Sequence, residues 1–315
     1  MKISHLHLSI ILSALFLIVL AGCPKKVKSQ QDPIYTQYLT NLLSIQPAYA
    51  GITGVLTVSA LSRAQWVGWE GAPNSNTFNI HVPLKPYNVG LGLTLLNDKW
   101  GPILQNGFYV AYAYRLLLRP RQYLALGIQA GINTYHARFT DLELNDPIDP
   151  SFAQNVDFKL LPNVGFGALW HSDIFFLGVS MPKLFKNNIV DDSDNKVYRE
   201  VLHFYAMGGY VFTTSDNTKL KPTFLYRWSE QTPSYVDVGL NILLYEKVWF
   251  GVTYRLKNSY ALCFQFNVNN QLRFGYSFDL TTFHENMVNS GTHEFTINYE
   301  FQSTRRNKRY TARYF

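Results

Sequence analysis

From about residue 55 to residue 302, apolar side chains alternate with polar or small ones at a period of two. In residues 272–280, Leu272, Phe274, Tyr276, Phe278 and Leu280 fall on one side, and Arg273, Gly275, Ser277 and Asp279 on the other. Successive side chains of a strand point to opposite faces, so each such segment is a ribbon with one oily and one wet surface. The same pattern sets Val236, Val238, Leu240, Ile242 and Leu244 against Asp237, Gly239 and Asn241. It also sets Phe295, Ile297, Tyr299 and Phe301 against Glu294, Thr296, Asn298 and Glu300. Only Leu8 to Gly22 is long and apolar enough to suggest a membrane helix. Elsewhere the chain can meet lipid only as strands of a closed barrel, because an open sheet edge leaves backbone groups unsatisfied there.

Strands are expected near 55–66, 76–83, 89–96, 106–117, 122–138, 159–170, 174–181, 200–212, 219–228, 234–244, 247–256, 260–268, 271–280 and 293–302. That is about fourteen, an even number, as bacterial outer-membrane barrels have. Periodicity alone does not say which face is outside, since a soluble sandwich alternates too, with its oily faces turned inward. Three features favour oil outside. Tight turns near 171–173, 245–247 and 268–270 contrast with long connections near 67–75, 97–105, 139–158, 182–199 and 281–292, as short inner turns contrast with long outer loops. Aromatic residues crowd strand ends (Tyr109, Trp170, Tyr210, Tyr226, Trp228, Tyr245 and Trp249), which suits interfacial girdles. The chain ends on Tyr314-Phe315, a terminal aromatic pair. The expected fold is all-β: a transmembrane antiparallel up-and-down β-barrel over 55–302. With short turns in the periplasm, both termini are expected there too. Residues 30–54 then form a periplasmic-side N-terminal segment, and 303–315 a basic C-terminal tail.

The N-terminus is an address. Lys2 precedes an apolar stretch from Leu8 to Ala21, as in a secretory signal. Two processing points stay open. Leu20-Ala21-Gly22-Cys23 has the form of a lipobox, with Cys23 as the lipidation candidate, whereas Val27-Lys28-Ser29 offers ordinary cleavage before Gln30, making 1–29 the signal peptide. Cys263 would be the one thiol of the barrel, which excludes a disulfide scaffold and a thiol-rich metal site. The net charge of +7 over 315 residues lies partly at the ends, in Lys25, Lys26, Lys28, Arg305, Arg306, Lys308, Arg309 and Arg313. No aromatic-interleaved basic stretch points to nucleic acid.

No catalytic, cofactor or metal set is legible, and no cofactor is expected. His81, His136, His171, His203, His284 and His293 are scattered, with no pair at ligand spacing. Asp191, Asp192 and Asp194 form an acidic loop without the glycine and closing Glu of a calcium loop. There is no Gly-x-Ser-x-Gly elbow. Gly90-Leu91-Gly92 lies inside a strand, where glycine allows close packing or a bend. Cys263 reads as an inert thiol on the polar side.

Several local patterns, in order, resemble the PorP/SprF family, barrel-forming membrane proteins of the type IX secretion system of Bacteroidota. The run Gln31-Asp32-Pro33-Ile34-Tyr35-Thr36-Gln37-Tyr38 is similar to the family's mature start. Gln46-Pro47-Ala48-Tyr49-Ala50-Gly51 follows, with Gln46 in place of the family's Asn. Then come Arg63-Ala64-Gln65-Trp66, the run opening on Trp69 at 69–73, and Asn97-Asp98-Lys99 with Gly101-Pro102. Each also has a structural reading: a turn before the first strand, a hairpin loop, interface aromatics. The resemblance implies a non-enzymatic outer-membrane component of the secretion and gliding machinery, helping to secrete or attach a cargo protein. It implies as partners outer-membrane lipid, an adhesin-like cargo with a C-terminal sorting domain, and periplasmic motor components including a peptidoglycan-binding lipoprotein. The long connections 139–158 and 182–199 are expected to meet cargo, and the inner-side segments the periplasmic parts. Competing readings are an outer-membrane channel for a hydrophobic or small polar solute, with residues 30–54 as its plug, a barrel hydrolase, and a lipid-anchored soluble β-sandwich.

Overall fold

Each barrel strand pairs antiparallel with its neighbours, and the ends of the sheet meet. In the computed structural model, which describes residues 33–85, 87–141, 155–190, 196–230, 232–281 and 290–301, the wall begins with β1 (Leu56–Ala64), β2 (Asn74–Leu84), β3 (Val89–Trp100) and β4 (Ile103–Arg119). It continues through β5 (Gln122–Ala137), β6 (Val156–His171) and β7 (Phe175–Met181). A small hairpin, β8 (Asn188–Val190) with β9 (Lys196–Arg199), interrupts it before β10 (His203–Tyr210). β11 (Phe212–Ser215) only prolongs the foot of β12 (Thr218–Ser229). β13 (Tyr235–Leu244), β14 (Val248–Arg255), β15 (Ser259–Asn267), β16 (Leu272–Thr281) and β17 (Thr292–Phe301) complete the circuit. β17 pairs with β1 and β10 with β12, closing a barrel of 14 strands. Closure leaves no edge to be satisfied by water, the condition a spanning sheet must meet.

The oily face is outside. Phe108, Val110, Tyr112 and Tyr114 of β4 are exposed, while Tyr109, Ala111 and Ala113 between them are buried. On β14 and β15, Phe250, Val252, Leu262 and Phe264 are likewise exposed, and Trp249, Thr253 and Ala261 are buried. A water-soluble sandwich would reverse these assignments. Trp170, Tyr210, Trp228 and Tyr245 face outward as expected of a girdle. Tyr109 and Trp249 do not: period two puts both on the lumenal face, where the Lys221 ammonium lies 4.2 Å from the centre of the Trp249 ring.

One connection differs from expectation. The β3–β4 link near 97–105 is not a long loop, because both strands run on to Trp100 and Ile103 and turn at Gly101-Pro102. Of the others, 65–73, 138–155, 182–202 and 282–291 join strands at one end, together with the tight turn 256–258, and the turns 120–121, 172–174, 245–247 and 268–271 join them at the other. We call these the loop end and the turn end.

The wall is taller along β4 to β6, and its crown has its own small core of Tyr135, Ala137, Phe139, Val156, Leu161 and Ile189. Glu200 pins the adjoining 182–202 connection there. Its carboxylate accepts from the side-chain amides of Asn133 at 2.7 Å, Asn163 at 3.0 Å and Asn187 at 2.6 Å. Asn163 returns the favour through its carbonyl, which accepts from the backbone N–H groups of Leu184 and Phe185. In a Glu200→Ala variant these amides lose their shared acceptor, at about 1–3 kcal/mol for each one left dry. Limited proteolysis should then cut within 182–202 while the barrel stays resistant.

Candidate functional site

The sequence before β1 fills the lumen. Pro33 to Gly54 runs inside the barrel with two 3-10 segments, Tyr38–Ser44, kinked at Asn41, and Pro47–Tyr49, joined through Ile45 and Gln46. Tyr35, Tyr38, Leu42, Leu43, Ile45, Ala48, Tyr49, Ala50 and Ile52 are all buried. They pack against inward side chains such as Ala111, Ala113, Ala125, Leu169, Met207 and Leu225. A segment this rich in aromatic and aliphatic groups removes its apolar surface from water only by docking, and the lumen is the dock. The expected periplasmic-side segment is therefore, over its described residues, a strap inside the barrel.

Wall glycines make the room. A Cβ on Gly127 would stand 2.5 Å from both the Ala48 Cα and the Pro47 carbonyl carbon. One on Gly90 would run into the Ala50 carbonyl, and one on Gly167 into the Gln46 amide. On the strap's side Gly51 has φ +72°, and a Cβ there would meet the Gly90 Cα at 2.8 Å. Backbone lies on backbone at Gly90, Gly127 and Gly51, and the Gln46 side chain lies on Gly167, which explains glycine in strand interiors that would otherwise favour bulk. The close-packing reading of Gly90 and Gly92 agrees with this, and Leu43 covers Gly92.

The strap is also held by polar contacts at both ends. At the loop end, β1, β16 and β17 present Arg63, Asp279 and Glu294 on adjacent lumenal positions. Arg63 and Glu294 are register partners. The Arg63 guanidinium bridges both carboxylates, with 3.0 Å to Asp279. Glu294 accepts from the Thr36 N–H at 2.8 Å and the Gln37 N–H at 2.9 Å. The Thr36 hydroxyl donates to Asp279 at 2.5 Å. A second pair stands beside them: Arg255 donates to both oxygens of Asp237 at 2.8 and 2.7 Å, the two-point geometry that guanidinium and carboxylate favour. Asn41 and Asn79 bond side chain to side chain midway. Toward the turn end, the Gln46 amide donates to the Ala168 and Val179 carbonyls at 3.2 and 3.1 Å. There the Gly51 N–H donates to His81 Nδ1 at 3.3 Å, with the Tyr49 ring edge-on to the same imidazole.

Little lumen is left open. Two cavities bordered by the strap hold about 60 and 50 Å³, and a third of about 40 Å³ lies between β13 and β17, room for a water or two each. The large concavity is outside, a groove of about 1060 Å³ beside β1 bordered by Phe78, Phe108, Phe274 and Phe295. It lies on the apolar outer face, where lipid covers the wall.

The expected motif positions gather in two places. Gln46, Pro47, Ala48, Tyr49 and Gly51 form the strap's contact with the wall. Arg63, Gln65, Trp66, Trp69, Asn97, Asp98, Lys99, Gly101 and Pro102 belong to the loop end. Arg63 joins the clamp. Gln65 and Trp66 line the small cavity above it with Ile34. Trp69 is exposed in the 65–73 connection, which docks on the β3–β4 turn through Gly101 N–H to the Gly71 carbonyl at 2.8 Å. Asp98 accepts from Ser75 inside the wall, Asn97 bonds Asn106 outside it, and Lys99 is exposed. Pro102 accepts from the Arg138 N–H at 3.1 Å. Cys23, His284 and the Asp191, Asp192 and Asp194 loop lie outside the described residues. Among the described residues no three His, Cys, Asp or Glu side chains gather as a metal site. His171 stacks on Tyr123, and His293 takes Tyr276 and the Ser290 carbonyl as partners. Period two places Glu294, Asp279, Asp237 and Arg255 on the lumenal face, but the meeting of Glu294 and Asp279 with Thr36 and Gln37 has no sequence signal.

Among curated protein sequences none matches the chain. Similar solved structures include the Acinetobacter baumannii outer membrane protein Omp33, at 10% identity and TM-score 0.44, covering 78% of this chain and 98% of that one. A Pseudomonas aeruginosa FadL homologue is 11% identical with TM-score 0.46, covering 81% and 94%. The Ralstonia pickettii toluene transporter TbuX is 8% identical with TM-score 0.45, covering 82% and 92%. The sequence profile of the type IX secretion system membrane protein PorP/SprF matches residues 27–299. With that match spanning most of the chain, this outer-membrane β-barrel belongs to the PorP/SprF family of type IX secretion system membrane proteins.

Proposed function

We propose that this barrel is a closed, non-enzymatic scaffold of the secretion machinery, which assists secretion or surface attachment of a partner cargo. The strap-filled lumen carries this reading: the strap packs on wall glycines, is clamped by buried ions, and borders water-sized cavities among the described residues. A protein so sealed acts through its two ends. The loop end faces outward and holds an adhesin-like cargo with a C-terminal sorting domain. The turn end faces the periplasm and meets motor components, a peptidoglycan-binding lipoprotein among them. Long outer loops and short inner turns, the habit of outer-membrane barrels, support this orientation. Replacing residues 142–154 by a short linker should leave the barrel inserted and heat-modifiable but abolish cargo retention at the cell surface. Unchanged retention would reject the role of that connection.

A solute channel is the second reading, and one observation favours it. The strap is a single segment, and every ladder bond of the wall runs strand to strand without it, so it is removable in principle. In planar bilayers the purified protein should show no steady conductance. Sustained conductance of the unaltered chain would replace the scaffold with a pore.

A further inference from the structure

The strap has a direction. Its later part, Ala50 and Gly51, lies on Pro83 and Gly90, which flank the 85–88 turn at the turn end, and it passes from there into β1. Its earlier part lies at the other end. Thr36 and Gln37 bond Glu294, two positions into β17 after the 282–291 connection, and Asp279, two positions before β16 runs into the same connection. Ile34 borders a cavity lined by Gln65, Trp66, Asn258 and Thr281, all from the loop end. Pro33 is thus the loop-end terminus of a segment that traverses the lumen, whereas Phe301 finishes β17 at the turn end. The two ends of the described chain leave the barrel on opposite sides, not on one.

We infer that the chain enters its own barrel from the cell surface. Residues preceding Pro33 lie on the side of the long connections, and the N-terminal end of the mature protein is displayed there, within reach of an exported partner. The two cavities bordered by the strap, about 60 and 50 Å³, take one or two waters each and no second chain. The short turns and the 303–315 tail are then the parts of the chain left to face the periplasm. A pull on the N-terminal end from outside would load the Thr36 and Gln37 bonds to Glu294.

This inference rests on the orientation proposed above, and the test separates the two. One epitope is inserted between Gln30 and Gln31, downstream of both processing points, a second within 142–154, and a third after Phe315. On intact cells antibody should reach the first and second, and the third only after the outer membrane is permeabilised. The second epitope reached with the first hidden would overturn the inference and leave the orientation standing. The third reached with the second hidden would overturn the orientation, and the inference with it. A small probe guards against steric exclusion of antibody. Gln31→Cys in a Cys263→Ser background should react with a membrane-impermeant maleimide to the same extent before and after permeabilisation. Reaction only after permeabilisation would overturn the inference.

Discussion

Gly127→Val should push the strap off the barrel wall. The new Cβ would stand 2.5 Å from the Ala48 Cα and the Pro47 carbonyl carbon, and Ala48 is fully buried. The colliding atoms on the strap are backbone, so no rotamer change relieves them. Overpacking a close-packed interior costs about 1–3 kcal/mol and occasionally more; two backbones in contact put this site at the upper end. The barrel's ladder does not depend on the strap, so the cost falls on strap docking. Proteases should cut within 33–54 in detergent, and the variant should conduct in planar bilayers where the unaltered protein does not. Ala130→Val is the control, on the same strand but facing lipid; it should change neither. A Gly127→Val protein with a protease-resistant strap and no conductance would show that the strap is not seated on this glycine.

Removing the Glu294 carboxylate should release the same strap from its other anchor. Glu294 accepts two strap N–H groups and pairs with Arg63, all in a fully buried setting. Breaking a buried ion pair by deleting one partner costs about 3–5 kcal/mol, because the remaining charge is stranded. Arg63 keeps Asp279, which places Glu294→Ala at the lower end of that range. Glu294→Gln retains the shape and one acceptor oxygen and should be milder. The coupling is measurable: Arg63→Met with Glu294→Ala should destabilise less than the two single variants summed, since the double variant strands no guanidinium. The heat-modifiability transition and protection of 33–54 report the loss. Little dependence on ionic strength is expected, because buried pairs are poorly screened. Strict additivity would mean that Arg63 and Glu294 do not act together.

The ladder of strands was legible because alternation is a local property. Phe274, Tyr276 and Phe278 share a face whatever the strand pairs with, and Asp237, Asp279 and Glu294 fall on the polar face by parity alone. Parity also corrects two of the expected girdle aromatics, since Tyr109 and Trp249 follow their inward neighbours. Connection length was less legible. Residues 97–105 carry turn-forming Asn, Asp, Gly and Pro, but the chain turns only at Gly101-Pro102 and spends the rest in strand. Strand pairing with β2 and β4 overrode local turn preference there.

The clamp was not legible, because it joins Thr36 to Glu294 across 258 positions of sequence. The family-like motifs around Gln46 and Arg63 did not say that one set lies inside the barrel and the other at its mouth. Period-two patterning by itself required two-faced strands, and with an export signal it favoured a closed barrel with oil outside. It could not say where Pro33 to Gly54 goes. An apolar, glycine-punctuated segment is equally able to lie outside or within, and only the spacing of Gly90, Gly127 and Gly167 around one lumen leaves a track that its backbone fits. Direction along that track was fixed in turn by where the two acids and Arg63 converge, a property of neighbouring strands in a closed wall and of no single stretch of chain.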